Sequence, residues 1–62
     1  MSKHDVYRIY EGERHYLMTI FGTPEQLIAL VRLMNETARS TETRYVGRTL
    51  DELGIDIGED VA

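Results

Sequence analysis

The segment from Gly22 to Ser40, GTPEQLIALVRLMNETARS, predicts a single amphipathic helix that the rest of the chain must accommodate. Thr23 is a suitable N-cap, Pro24 suits the first helical position, and Gln26 stands where a capping box places its second residue. The residues that follow are mostly good helix formers and include no Gly or Pro. We therefore predict a helix over residues 23–39, with Arg39 in its last turn.

The apolar surface of this helix is wider than one small sheet can cover. Its side chains span roughly 220° at 100° per residue, whereas a surface helix needs about 100° to cover a core. We therefore expect a second subunit to cover the flank that the sheet leaves open. The predicted oligomer interface consists of Ile28, Leu30, Leu33 and Thr37. The alternative is that part of this flank remains exposed to solvent, as single apolar residues often do.

Residues 5–21 predict a β-hairpin, because two segments rich in β-branched and aromatic residues flank Gly12. Either Glu11-Gly12 or Gly12-Glu13 can form the centre of the turn, and both options give the same side-chain alternation. The face expected to carry the helix comprises Tyr7, Ile9, Tyr16, Met18 and Ile20. The second face comprises Val6, Arg8, Tyr10, His15, Leu17, Thr19 and Phe21.

Residues 43–49 predict a third strand. Tyr45 and Thr49 are expected to face the helix, because the reverse orientation would bury two arginines at a high cost. Arg44, Val46 and Arg48 then join the second face. The strand can lie beside the first or the second strand of the hairpin. The predicted fold is α+β: a small antiparallel or mixed three-stranded sheet, in the order β-β-α-β, with one helix packed on one face.

The size of the chain also favours an oligomer. Its 62 residues make one domain, 1–62, and a domain of this size buries only about 60% of the surface of its unfolded chain. Small domains usually gain support from disulfides, metals or association. The sequence has no Cys and two His, so we expect no cofactor or metal, and a homodimer or higher oligomer.

The C-terminal segment, residues 50–62, concentrates the acidic charge. The sequence carries a net charge of −4, and residues 51–62 contain five acids and no base. This segment is a candidate for binding a partner by strand addition, with alternating apolar anchors and acidic side chains. The candidate residues are Asp51, Glu52, Ile55, Asp56 and Ile57. The alternative is a solvated tail whose isoleucines close the edge of the core.

The second sheet face combines cations with aromatic rings, a pattern that suits phosphates and stacked bases. The candidate residues for an anionic ligand or nucleic acid are Arg8, Tyr10, His15, Arg44 and Arg48. The acidic composition argues against nucleic acid, since nucleic-acid-binding proteins usually carry a basic excess. A nucleotide held between subunits is a further alternative.

No motif for catalysis is present. Ser2 and Ser40 lack a nucleophile context, and His15 with Glu13 forms an exposed pair of neighbours rather than an enclosed acid/base site. We therefore predict a non-enzymatic, cytoplasmic interaction protein that acts as a homo-oligomer. We expect it to bind and modulate another macromolecule, and inhibition is one form that this modulation can take. Small chains of this kind are frequent among phage-, plasmid- and host-encoded regulators, which is an analogy and not a motif.

Overall fold

The structure is a computed structural model that describes residues 2–39, 41–50 and 53. It confirms the predicted α+β arrangement of three strands and one helix. The elements are β1 (Ser2–Tyr10), β2 (Glu13–Gly22), α1 (Pro24–Thr37) and β3 (Thr43–Leu50). The sheet has the order β2-β1-β3, and β1 is antiparallel to both neighbours. The third strand therefore lies beside the first, which the sequence had left open.

The hairpin turn uses Glu11 and Gly12 as its central residues. Both have positive φ angles, 53° and 77°, and Tyr10 pairs with Glu13 across the turn. Two central residues with positive φ characterise the tight type I′ turn, whose twist matches that of the flanking strands. Of the two turns that the sequence allows, the first is therefore present.

A β-bulge in β2 changes which residues face the helix. Val6 pairs with Met18 and the next residue, Tyr7, pairs with Tyr16, so Leu17 is an extra residue in β2. An extra residue reverses the side-chain alternation of the strand beyond it. The predicted faces assumed regular alternation, so they are wrong for β1 and for the part of β2 before the bulge, and correct for β2 beyond it.

The helix packs on a face built from both predicted sets. Val6, Leu27 and Val31 form the buried centre of the core. Partly buried side chains packed around them are Met18, Ile20, Leu30, Met34 and Tyr45. Tyr7, Ile9 and Tyr16, which were expected on this face, lie on the opposite one, while Met18 and Ile20 were assigned correctly. Tyr45 faces the helix as predicted.

Gly47 lets the helix approach β3 closely. A Cβ atom at this position would lie 2.5 Å from Cδ1 of Leu27, which is closer than carbon atoms can approach without displacement. Leu27 is almost fully buried as a result. Gly47 therefore marks a close approach of helix and sheet, one of the two roles that a glycine in a strand usually has.

The helix begins as the sequence predicts and ends earlier. The Thr23 hydroxyl accepts a hydrogen bond from the Gln26 amide at 3.2 Å, and the Gln26 side chain accepts one from the Thr23 amide at 2.9 Å. This is the capping box that the sequence predicted. The helix ends at Thr37, and Ala38 already has an extended conformation. The prediction had placed Arg39 in the last turn of the helix, but Arg39 lies beyond the end of the helix. Within the described part of the chain, no helix is both long and apolar enough to cross a membrane.

His4 connects the start of the sheet to the start of the helix. The sequence predicts that residues 1–4 lie outside the hairpin at 5–21, yet β1 begins at Ser2 and His4 is fully buried. Its Nε2–H donates to the Gly22 carbonyl at 3.1 Å, and its Nδ1 lies 3.0 Å from the Thr49 hydroxyl. One imidazole ring therefore joins β1 to β3 and to the last residue of β2, directly before the helix cap.

Replacing His4 by Leu should lower the free energy of unfolding by about 1–3 kcal/mol, because the Gly22 carbonyl and the Thr49 hydroxyl lose their buried partner. His15→Leu is the matched control, since the His15 side chain is half exposed and surface substitutions usually stay within about 0.5 kcal/mol. Urea denaturation of both variants measures the difference. Equal midpoints for the two variants would show that His4 does not hold these elements together.

Candidate functional site

The five residues predicted to bind an anion do not form one surface. Arg8 pairs with Tyr45 across the sheet, and Tyr45 packs against the core below the helix. Paired residues lie on the same face, so Arg8 projects on the helix side. Arg44 pairs with Ile9 and therefore projects on the opposite side. The structure thus separates Arg8, Tyr10 and His15 from Arg44 and Arg48.

The first three residues lie on the helix side near the hairpin turn. His15 pairs with Arg8, and Tyr10 pairs with Glu13. The His15 Nε2 lies 3.5 Å from a Glu13 carboxylate oxygen, with both side chains at least half exposed. A polar contact this exposed contributes little to stability. This group is a solvated polar end of the hairpin.

The face opposite the helix carries a hydrogen-bonded chain of side chains. The Thr19 hydroxyl donates to Asp5 at 2.7 Å, so the Tyr16 hydroxyl, 2.6 Å from Thr19, must donate to it. Tyr7 donates to the other Asp5 oxygen over a longer distance of 3.4 Å. This chain fixes two tyrosine side chains from neighbouring strands around one carboxylate.

The same two tyrosines form an aromatic group with Arg14. The Tyr7 and Tyr16 rings meet edge to face, with centroids 6.2 Å apart, and the Arg14 guanidinium lies 5.1 Å from the centre of the Tyr7 ring. Both geometries are favourable for π systems. This group was not predicted from the sequence, because the bulge at Leu17 places Tyr7 and Tyr16 on the face away from the helix.

The two halves of this face differ in exposure. On β3, Val46 is only 2% exposed and Leu50 is also buried. On β2, by contrast, Tyr16 is 60% and Phe21 is 70% exposed, and Leu17 at the bulge is exposed as well. Large apolar side chains in such positions commonly mark a contact surface. The open part of the face is therefore its β2 half.

The two outer edges of the sheet also differ. On β3, the Asn35 side chain accepts a hydrogen bond from the Tyr45 amide at 2.8 Å and donates one to the Tyr45 carbonyl at 3.0 Å. At Tyr45, a side-chain amide from the helix thus occupies the backbone groups that a neighbouring strand would otherwise pair. Among the described residues, β2 pairs with β1 alone. The β2 edge therefore resembles the unprotected edges to which other chains add, whereas the β3 edge is covered at Tyr45.

The four helix residues predicted as an oligomer interface differ in their exposure within the single chain. Ile28 and Leu30 are partly buried within the single chain, while Leu33 is 56% exposed and Thr37 is exposed. The Thr37 hydroxyl bonds to the Leu33 carbonyl at 2.9 Å, within the last turn of the helix. Leu33 is therefore the main apolar side chain that this flank presents.

The candidate residues of the acidic tail (Asp51, Glu52, Ile55, Asp56 and Ile57) lie outside the described residues. Within the described ranges, no group of three or more His, Asp or Glu side chains is arranged to hold a metal ion. Comparison with known proteins found no match to a family model, to a curated protein or to a solved structure.

Replacing Asn35 by Ala should expose the middle of the β3 edge, because the Tyr45 amide and carbonyl lose their partner. We expect a loss of about 1–2 kcal/mol in unfolding free energy and faster hydrogen exchange at the Tyr45 amide. Glu36→Ala, at the exposed neighbouring position, is the control and should change neither quantity. Unchanged exchange at Tyr45 in Asn35→Ala would refute the role of this amide.

Proposed function

We propose that the protein is a small non-enzymatic interaction protein that acts as a homo-oligomer and binds and modulates another protein. The observation that carries this proposal is the presence of two separate apolar surfaces on a very small domain. One is the β2 surface, formed by Tyr16, Leu17 and Phe21, and the other is the helix surface around Leu33. Two such surfaces give one copy the means to contact a second copy and a different partner at the same time.

The energetic argument starts from the small core. Five apolar residues are buried among those described: Val6, Leu27, Val31, Val46 and Leu50. An exposed Phe or Tyr can bury about 150–250 Å² when it is covered, and burial contributes about 25 cal/mol for each Å² of apolar surface. Covering Tyr16, Phe21 and Leu33 would therefore add substantially to a domain with so little buried apolar area. Burial of these side chains would therefore contribute favourable free energy to association.

We assign the helix surface around Leu33 to the contact with the partner protein, which is a different protein and not a second copy of this chain. Leu33 is exposed on the helix, and the exposed, polar Arg32 and Glu36 both lie on one side of it. An apolar anchor with charged neighbours is a usual composition of a protein contact. The helix is also capped at its start, so its outer face is a rigid surface. The β2 surface is then available for a second copy.

A nucleic-acid or nucleotide ligand is the alternative function. Arg14, Arg44, Tyr7 and Tyr16 lie on the face opposite the helix, which is a different group from the one that the sequence indicated. The net charge of −4 and the burial of Val46 beside Arg44 both count against stacked bases on the β3 half. Salt-sensitive binding of a single-stranded oligonucleotide, or a nucleotide-induced thermal shift, that is lost in Arg14→Ala would favour this alternative over the proposal.

The proposal predicts that tagged protein captures one partner protein in its native cells, and that Leu33→Glu abolishes this capture. A charge in the centre of an apolar contact leaves it desolvated and unpaired, which typically costs more than 2 kcal/mol of binding. Glu25→Gln, an exposed position in the first turn of the helix and away from Leu33, is the control and should retain the partner. The pair is then reconstituted from purified components and its affinity measured by calorimetry.

Two results would contradict this assignment. The first is a reconstituted complex whose affinity is the same for the wild-type chain and Leu33→Glu. The second is a purified chain that binds oligonucleotides in a stoichiometric, salt-sensitive manner and binds no protein. Circular dichroism of Leu33→Glu should match the wild type, since this side chain is more than half exposed.

A further inference from the structure

The contact between Asn35 and Tyr45 on β3 fixes the direction in which the backbone amides and carbonyls of β2 point. The Tyr45 amide and carbonyl point to Asn35, away from β1. In antiparallel strands, successive residues direct these groups alternately to one side and the other. Arg8, which lies opposite Tyr45, must therefore direct its groups to His15 on β2. It follows that His15 turns inward and that its neighbours Arg14 and Tyr16 turn outward.

The same reasoning continues past the bulge. Val6, two residues before Arg8, also directs its groups toward β2, where Met18 lies opposite it. Met18 therefore turns inward, and Thr19 and Phe21 turn outward. Along the edge of β2 that faces away from β1, the residues whose amides and carbonyls turn outward are Arg14, Tyr16, Thr19 and Phe21.

These four positions complement themselves. When two copies of β2 run antiparallel with Arg14 opposite Phe21, Tyr16 falls opposite Thr19, so every outward-turned residue meets an outward-turned residue. A register that placed Tyr16 opposite itself would instead set Arg14 against Met18, which turns inward. No other antiparallel register pairs all four.

The bulge keeps two such strands in step. The step from Tyr16 to Thr19 contains one residue more than the usual two-residue spacing of outward groups, because of Leu17. In the antiparallel arrangement this step lies beside the same step of the second copy, in reverse. Both strands therefore contain the irregularity at the same place, where a regular strand would lose its register.

We propose that the outer edge of β2 pairs with the β2 edge of a second copy of this chain, with Arg14 opposite Phe21 and Tyr16 opposite Thr19. This inference rests on the proposed function, whose homo-oligomer it specifies. It extends the three strands of each copy into one six-stranded sheet about a two-fold axis. At each end of that sheet, the Asn35 side chain already bonds to the amide and carbonyl of Tyr45 on the β3 edge, which disfavours further pairing there.

The side chains that this register brings together are compatible. Arg14 of each copy lies beside the exposed Phe21 ring of the other, where a cation and a ring attract. Glu13 falls opposite Gly22, and His15 falls opposite Ile20. No like charges face each other, as they would if Arg14 paired with itself. The most exposed rings of β2 are covered on one face of the extended sheet.

Single-cysteine variants test the register directly, because the chain contains no Cys. Arg14→Cys and Phe21→Cys are made separately, purified, and oxidised alone and as a mixture. In the proposed register, Cα atoms of the two opposite residues are about 5.5 Å apart, within the range of about 4.4–6.8 Å that disulfides span. Two copies of the same variant hold their cysteines about 23 Å apart, since seven residues of strand at about 3.3 Å each separate them.

The expected result is that the mixture forms disulfide-linked dimer roughly ten-fold or more faster than either variant alone, because pairing raises the effective thiol concentration. Both positions are exposed, so the fold of each variant should persist, which circular dichroism confirms. Efficient cross-linking of either variant with itself would overturn the register. Equal, slow cross-linking in all three samples would overturn pairing at this edge.

A second measurement separates this inference from the proposed homo-oligomer. Phe21→Pro removes one outward amide and its exposed ring, at an edge position where Pro is tolerated, and should make the chain monomeric by sedimentation equilibrium. Leu33→Lys should leave the dimer intact. A dimer that is lost in Leu33→Lys and kept in Phe21→Pro would refute the edge and retain the oligomer. A wild-type chain that is monomeric at millimolar concentration would refute both.

Discussion

One extra residue in β2 determines which surfaces this domain buries and which it shows. The bulge at Leu17 lets Met18 and Ile20 join Val6 under the helix. It also sends Tyr16 to the opposite face, where its ring meets Tyr7. Without the bulge, one end of β2 or the other would present the wrong side chains to Leu27 and Val31. The core and the exposed aromatic surface are therefore two consequences of the same irregularity.

The features that the sequence predicts well are those that depend on local chemistry. The capping box of Thr23 and Gln26, the turn at Gly12 and the orientation of Tyr45 all follow from the residues at or near each position. The faces of the hairpin could not be predicted, because a bulge depends on how two strands fit against the same helix. No residue near Leu17 signals it, since Gly and Pro, the usual markers, are absent there.

Two residues show how contacts distant in sequence decide the rest. His4 is fully buried by partners 18 and 45 positions away, and Asn35 closes the β3 edge from the helix, 10 positions away. Neither role leaves a pattern in the neighbouring sequence. The predicted anion-binding residues were separated for the same reason, since their grouping assumed one regular alternation along β2. The predicted roles for the acidic tail and the helix flank remain predictions.

The two outer edges of this small sheet are unequally protected, which favours association at β2. A strand edge that stays open invites pairing, and proteins usually protect such edges with charges, prolines or covering elements. Here the protein protects β3 with Asn35 and leaves large apolar side chains along β2. This asymmetry is what connects the fold to the proposed function, since it favours β2 as the edge for association.

The most direct test of this account is hydrogen exchange, followed by NMR, at increasing protein concentration. The account predicts that the amides of Tyr16, Thr19 and Phe21 become protected as the concentration rises, because pairing of two β2 edges gives them acceptors. The Tyr45 amide, which already donates to Asn35, should be protected throughout. If sedimentation shows a dimer while the three β2 amides exchange as fast as in the monomer, the central claim is wrong.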